Sequence, residues 1–192
     1  MAICITCPVD CSAIIPVCSF TDCNPVTHRG QVTDVLIGKV GHPMVDWTDA
    51  AEWTTRISCS DIVSANAIRH WFVTGAYNKP ETTQNKLAHG IVKAGDRTFK
   101  MTVFIDQMNQ ANRDLIRALE CGGKLLMWFV IGGEVMFGGD EGIEISADGA
   151  ITAADNTEEL MKGEIDITWK SKCSPLTADN IIPNTYQVVA AP

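Results

Sequence analysis

Five of the chain's eight cysteines fall within its first twenty-three residues: Cys4, Cys7, Cys11, Cys18 and Cys23. Thiols at this density point first to a metal or to redox chemistry. The Cys4-x2-Cys7 spacing lets two thiolates reach one tetrahedral zinc ion, and Cys18-x4-Cys23 offers a second pair, with Cys11 and His28 as spare ligands. Against this, the second pair lacks the tight two-residue spacing, five thiols exceed what one site needs, and the run does not match four-cysteine iron–sulfur spacing. The arm therefore reads as thiols packed on apolar surface and no cofactor. Cys4, Cys7, Cys18 and Cys23 form the ligand set of the alternative, zinc-holding reading, and disulfides formed in an oxidising medium are a third. Met1-Ala2-Ile3-Cys4 shows no basic leader. A reducing cytosol is thus the expected compartment, where Cys59, Cys121 and Cys173 read as small buried hydrophobes.

Other chemistry finds little support. His28, His42, His70 and His89 share no i, i+4 pair, and His70, beside Trp71, reads as a structural strand residue. A nucleophile elbow of the GxSxG type does not occur, and the glycines fit neither GxGxxG nor GxxxxGK[ST]. Asp140, Glu141 and Glu144 match a calcium loop in charge alone, without its alternating ligand positions, and read as a solvated acidic turn. The chain is expected not to be an enzyme.

The elements that must position any functional group come from a chain of 192 residues with 46% apolar and 20% charged side chains. That composition packs a core and excludes a disordered chain. Fifteen basic against twenty-three acidic residues, net charge −8, argue against a phosphate-gripping surface. The longest clean apolar run, Leu125 to Ile131, is too short for a transmembrane helix, and no membrane partner is expected. Residues 1–30, rich in Cys and Pro, read as an irregular arm, residues 31–172 as the folded domain, and residues 173–192, with Pro175, Pro183 and Pro192, as an extended tail.

Within the domain, residues 31–40 are β-branched and apolar and predict a strand. Residues 46–57 predict a short helix, with Asp49 and Glu52 as a capping pair and Trp53 and Ile57 on one face. Residues 68–74 predict a strand, and the polar stretch 75–90 a long loop. Residues 97–106 alternate, with Phe99, Met101, Val103 and Ile105 on one face. A helix capped by Asp106 or Asn109 runs to about Glu120 with Ala111, Leu115 and Leu119 as its buried stripe. Residues 124–131 form a strand covered on both faces, and residues 134–137 a short strand between glycine pairs. Segments 143–147 and 150–154 flank Asp148-Gly149, a hairpin signal, and residues 164–170 form the last strand. The sum is a mainly β fold: a β-sandwich or partly closed barrel with one flanking α-helix over its open end, plus irregular N- and C-terminal arms.

The order of parts from 97 to 172 (RTFKMTVFID, QMNQANRDLIRALECGG, KLLMWFVI, a glycine-bounded strand, an acidic turn, GEIDITWKS) resembles the tail-tube proteins of tailed bacteriophages. The Cys-rich arm and overall texture look most like ring or tail-barrel proteins of the crAss-like group. The resemblance implies a structural virion protein, assembled in the host cytoplasm, that forms a homo-oligomeric ring in a tail or neck around a DNA conduit. Its partners would be copies of itself and adjacent ring, portal or tail proteins, while DNA passes without specific binding. It implies that the 75–90 loop engages the adjacent ring through Tyr77, Lys79, Pro80, Lys86 and Leu87. In such a ring Asp140, Glu141 and Glu144 are candidates to face the lumen, and equally to form an outer solvated face. A cytosolic zinc-binding interaction protein that uses the cysteine arm is the alternative. Leu126→Asp or Phe129→Asp is expected to abolish soluble folding.

Overall fold

The computed structural model describes residues 30–58, 66–86, 92–106, 108–120, 123–152 and 162–183. Across these residues nine strands and two helices follow in the order β1 (Gln31–Lys39), α1 (Ala50–Ile57), β2 (Arg69–Tyr77), β3 (Glu81–Lys86), β4 (Val92–Ile105), α2 (Gln110–Glu120), β5 (Lys124–Ile131), β6 (Val135–Gly138), β7 (Ile143–Thr152), β8 (Lys162–Ser171) and β9 (Leu176–Asp179). Every pairing among them is antiparallel. Strands pair in the circuit β1-β2-β4-β8-β7-β5, and β5 returns to β1, so six strands close a barrel. Closure removes the sheet edges that an open sandwich would leave.

The alternation read from the sequence is what fills the barrel. Phe99, Met101, Val103 and Ile105 of β4 meet Ile165, Ile167 and Trp169 of β8 and Val35 and Ile37 of β1 inside it, all buried. β1 and β5 are buried on their outer faces too, for a reason the sequence does not disclose. Leu36, Trp128 and Val130 point away from the barrel into a second core, made with Met44, Trp47, Trp53, Met136 and Ile182. α1 and the segment after β9 are thus pinned against one wall of the barrel.

β5 is where the sheet branches. Its first half, Lys124–Met127, pairs with β7 and completes the barrel, while Phe129–Ile131 pairs with β6, which carries β9 outward.

α2 caps one barrel end. Asn109 accepts a hydrogen bond from the Asn112 amide at 2.9 Å, which satisfies one orphan donor at the helix start. Ile116 and Leu119 enter the barrel mouth and are buried. A Cβ at Gly163 would collide with Ile116 Cδ1, and one at Gly149 would lie 3.2 Å from Ile116 Cγ2. The two glycines therefore let the helix seat.

Four expectations need correction. Asp148-Gly149 is not a hairpin: β7 runs straight through it and pairs with β8 along its length. Gly149 serves the close approach of α2, and the turn signal is local while that packing is not. The 75–90 stretch is not a loop from end to end, because β2 continues to Tyr77 and residues 81–86 form β3 on β4. The segment after residue 172 holds a strand that its weak periodicity did not mark: β9 pairs with β6, and Ile182 is buried. Cys173 is not a buried hydrophobe; it is half-buried and disulfide-bonded, and every other cysteine lies outside the described residues.

Candidate functional site

The residues singled out from the sequence do not converge on one place. Cys4, Cys7, Cys18 and Cys23, with the whole arm 1–29, lie outside the described residues, as does Leu87. Among the described residues there is no group of three His, Cys, Asp or Glu placed to hold a metal ion. No described helix is long and apolar enough to cross a membrane.

Tyr77 belongs to the barrel interior. It continues the inward parity of Trp71 and Val73, and its ring lies 5.3 Å from Phe129, 5.8 Å from Phe137, 6.1 Å from Trp169 and 6.4 Å from Phe99. Burial raises its phenol pKa, against a smaller pull from Arg97. The polar neighbours Asn78 and Lys79 hid this role. Lys79 is exposed and Pro80 half-buried in the link to β3, and Lys86 ends β3 opposite Val92.

The three acids of the 139–144 region do different jobs. Asp140 accepts the Trp47 amide on Oδ1 at 2.9 Å, and its backbone carbonyl accepts the Met44 amide at 2.7 Å. This fixes the segment before α1 to the β6–β7 turn. Glu144 pairs with Lys124 on the adjacent strand, and Glu141 is exposed.

A clamp around α1 was invisible in the sequence apart from the i, i+4 spacing of Glu52 and Arg56. Arg56 is buried and spreads its guanidinium over the carbonyls of Asn66 (2.9 Å), Pro43 (2.8 Å) and His42 (2.7 Å), with Met44 Sδ at 3.0 Å and Glu52 at 3.3 Å. Only a planar fork of five donors can serve so many acceptors at once. Asp49 caps the helix as expected, accepting the Ala51 amide at 2.9 Å. Glu52, however, does not reach back to Asp49; it accepts the Val45 and Asp46 amides at 2.9–3.1 Å.

Burial pushes the Glu52 carboxyl up, but those two amides and Arg56 outweigh it and hold the pKa below the ordinary 4.5. A depressed folded-state pKa gives stability that is complete above the unfolded value and is lost as pH falls through the folded one. Glu52→Gln should therefore lower the melting temperature at pH 7. It should also flatten the fall in melting temperature between about pH 5 and 3 relative to wild type. Parallel melting curves against pH for the two proteins would contradict this role.

His70 and Asp34 form the one buried acid–base pair among the described residues. His70 Nε2 lies 2.7 Å from Asp34 Oδ1, and both side chains are buried on the outer wall of β1–β2. A carboxylate that orients an imidazole is half of a nucleophilic triad. Here Leu36 is directly opposite His70, Phe72 opposite Asp34, and the His70 ring lies 4.4 Å from Phe72. The bond crosses from β2 to β1 and ties the two strands together on this wall.

One element stands apart from the barrel. β4 is fourteen residues long, and only Arg97–Ile105 pairs with β8. Residues 92–96 have β3 on one side and, among the described residues, no strand on the other; β3 likewise pairs only with β4. At about 3.3 Å per residue, this ribbon stands roughly 16 Å clear of the barrel. The chain matches no known family model and no curated protein.

Proposed function

We propose that the chain is a structural virion protein that assembles into a homo-oligomeric ring in a bacteriophage tail or neck, around a channel through which DNA passes. One observation carries the reading: a closed barrel bears a two-stranded ribbon with both edges unpaired among the described residues. An isolated two-stranded ribbon is at best marginally stable in water, and its open edges are templates for a further strand. A neighbouring copy that lies along the ribbon supplies the missing pairing, and head-to-tail repetition closes a ring.

Two further features support it. The element order of residues 97–172 resembles tail-tube proteins, and the net charge of −8 suits a conduit. Lysine–phosphate contacts repeated around a ring would make the channel a trap for DNA. Lys79, Pro80 and Lys86 sit at the base and along the ribbon, where contact with a neighbour falls.

The test is to replace residues 83–96 by Asn-Gly, which turns the chain directly from Thr82 to its partner Arg97. Wild-type protein should show annuli by electron microscopy and a single large species on sedimentation. The shortened variant should keep its near-ultraviolet circular dichroism and sediment as a monomer. A wild type that stays monomeric at high concentration, or rings that survive the shortening, would overturn the reading.

A further inference from the structure

The ribbon and the last described residues leave the barrel from opposite walls. Round the six-strand circuit, β4, which carries the ribbon, lies three strands from β5 in either direction. β9 hangs on β6 outside β5, and the chain then returns to the second core, where Ile182 is buried with Trp128 and Met136. Asn180 fixes it there. Its amide donates to the Glu134 carbonyl and its side chain to the Gly133 carbonyl, both at 2.8 Å. Gly133 and Glu134 belong to the turn after β5. The adjacent Gly132 amide donates to the carbonyl of Gln31, which lies opposite Ala76 near the end of β2. That is the rim above which the ribbon rises. Ribbon and chain end thus sit at one rim, across the barrel from each other.

Residues 184–192 lie outside the described residues, but their sequence carries a signal. Thr185-Tyr186-Gln187-Val188-Val189 holds three β-branched residues, one aromatic and no charge, and Pro183 and Pro192 bound the segment. Such a run favours a strand. The ribbon of its own chain is out of reach. Thr185 follows Ile182 by three residues, so it lies within about 10 Å of it. Three strand spacings are roughly 14 Å along the barrel wall, and the second core stands outside that wall.

We infer that residues 185–190 of one copy add as a third strand to the ribbon of the next copy. The inference rests on the ring reading and names the contact that closes the ring. Six residues match the six of β3, Glu81–Lys86. A two-stranded ribbon is marginal in water, and a third strand is what such a ribbon needs. Strand addition draws its affinity from backbone hydrogen bonds, which suits a donor without charged side chains. With donor and acceptor at one rim on opposite walls, each copy gives one strand and receives one. That is the head-to-tail relation that repeats around an axis.

The full-length chain carrying Gln187→Pro and Val188→Pro tests this. Neighbouring residues of a strand direct their amides to opposite edges, so one of the two prolines removes a pairing donor whichever edge is used. The variant should sediment as a monomer with unchanged near-ultraviolet circular dichroism, where wild type sediments as rings. A fluorescent peptide of residues 184–192 should bind this variant saturably. Binding should weaken at least about tenfold, the worth of a single backbone hydrogen bond, when the variant also has residues 83–96 replaced by Asn-Gly. Rings formed by the double-proline variant would overturn the inference and leave the ring reading in place, whereas a wild type that stays monomeric would remove both. Peptide affinity untouched by loss of the ribbon, or no saturable binding below millimolar concentration, would likewise overturn the donor strand.

Discussion

Phe129→Asp will leave no soluble native protein. Phe129 lies at the centre of β5, fully buried, between Val35 on one neighbouring strand and Phe137 on the other. Its ring stacks on Phe137 at 4.7 Å and meets Tyr77 at 5.3 Å and Trp169 at 6.2 Å. Removing a large aromatic side chain from such a site costs about 3–5 kcal/mol. Burying an unpaired carboxylate in its place adds several kcal/mol more. Together these reach the roughly 5–15 kcal/mol that a whole domain has to lose. Expression of the variant should yield aggregate, or a chain without near-ultraviolet dichroism, whereas Phe129→Leu should stay folded with a lowered melting temperature. Leu126→Asp, on the other face of the same strand and in the second core, should fail in the same way. A soluble Phe129→Asp variant with native dichroism would mean that β5 is not doubly covered.

Trp128→Ala should lower stability by about 3–5 kcal/mol, which in a chain of this length is a fall of roughly 6–20 °C in melting temperature. Trp128 is the keystone of the second core. Its indole meets Trp53 edge-on at 5.5 Å, and its Nε1 donates to the Gly139 carbonyl at 2.7 Å. Glycines are fitted around it: a Cβ at Gly138 would collide with Trp128 Cδ1, and one at Gly142 would lie 2.8 Å from Cζ2. Gly142 also has φ +66°, where a side chain is strained.

Gly142→Ala should therefore be costly for two reasons while the indole is present. Once Trp128→Ala has removed the indole, only the backbone reason remains. The double variant should be less destabilised than the sum of the singles. Thermal melts of the four proteins form the cycle that shows this coupling. Strict additivity would mean that the indole and Gly142 do not press on one another.

The parts legible in the sequence were those written in period. Alternation in residues 97–105 and 164–170 marked β4 and β8, the doubly apolar run marked β5 as covered on both faces, and Asp49 and Asn109 marked two helix starts. β3 was missed because residues 81–86 contain no apolar side chain: it is held by backbone hydrogen bonds to β4, which leave no trace in composition. Asp148-Gly149 misled because the same dipeptide suits a turn and a strand that a helix crosses closely. β9 was not marked because its four residues carry too little pattern to show what they pair with.

At the level of sites, the sequence was weaker still. Tyr77 entered as a loop residue through the resemblance, and its ring packs among Phe99, Phe129, Phe137 and Trp169. Arg56 drew no attention because a buried guanidinium is recognised only by the carbonyls it gathers from residues 42, 43 and 66.

By itself the sequence determined the strongly patterned strands β1, β4, β5 and β8 and the two helices, and that the chain is acidic, because these depend on residue order within a turn or a pleat. Closure of six strands into a barrel, the branching of β5 to β6, the second core behind it and the ribbon left standing were decided by tertiary structure alone. Each depends on pairings between residues tens of positions apart, where backbone hydrogen bonds are indifferent to side-chain identity and only the joint burial of two facing surfaces selects the partner.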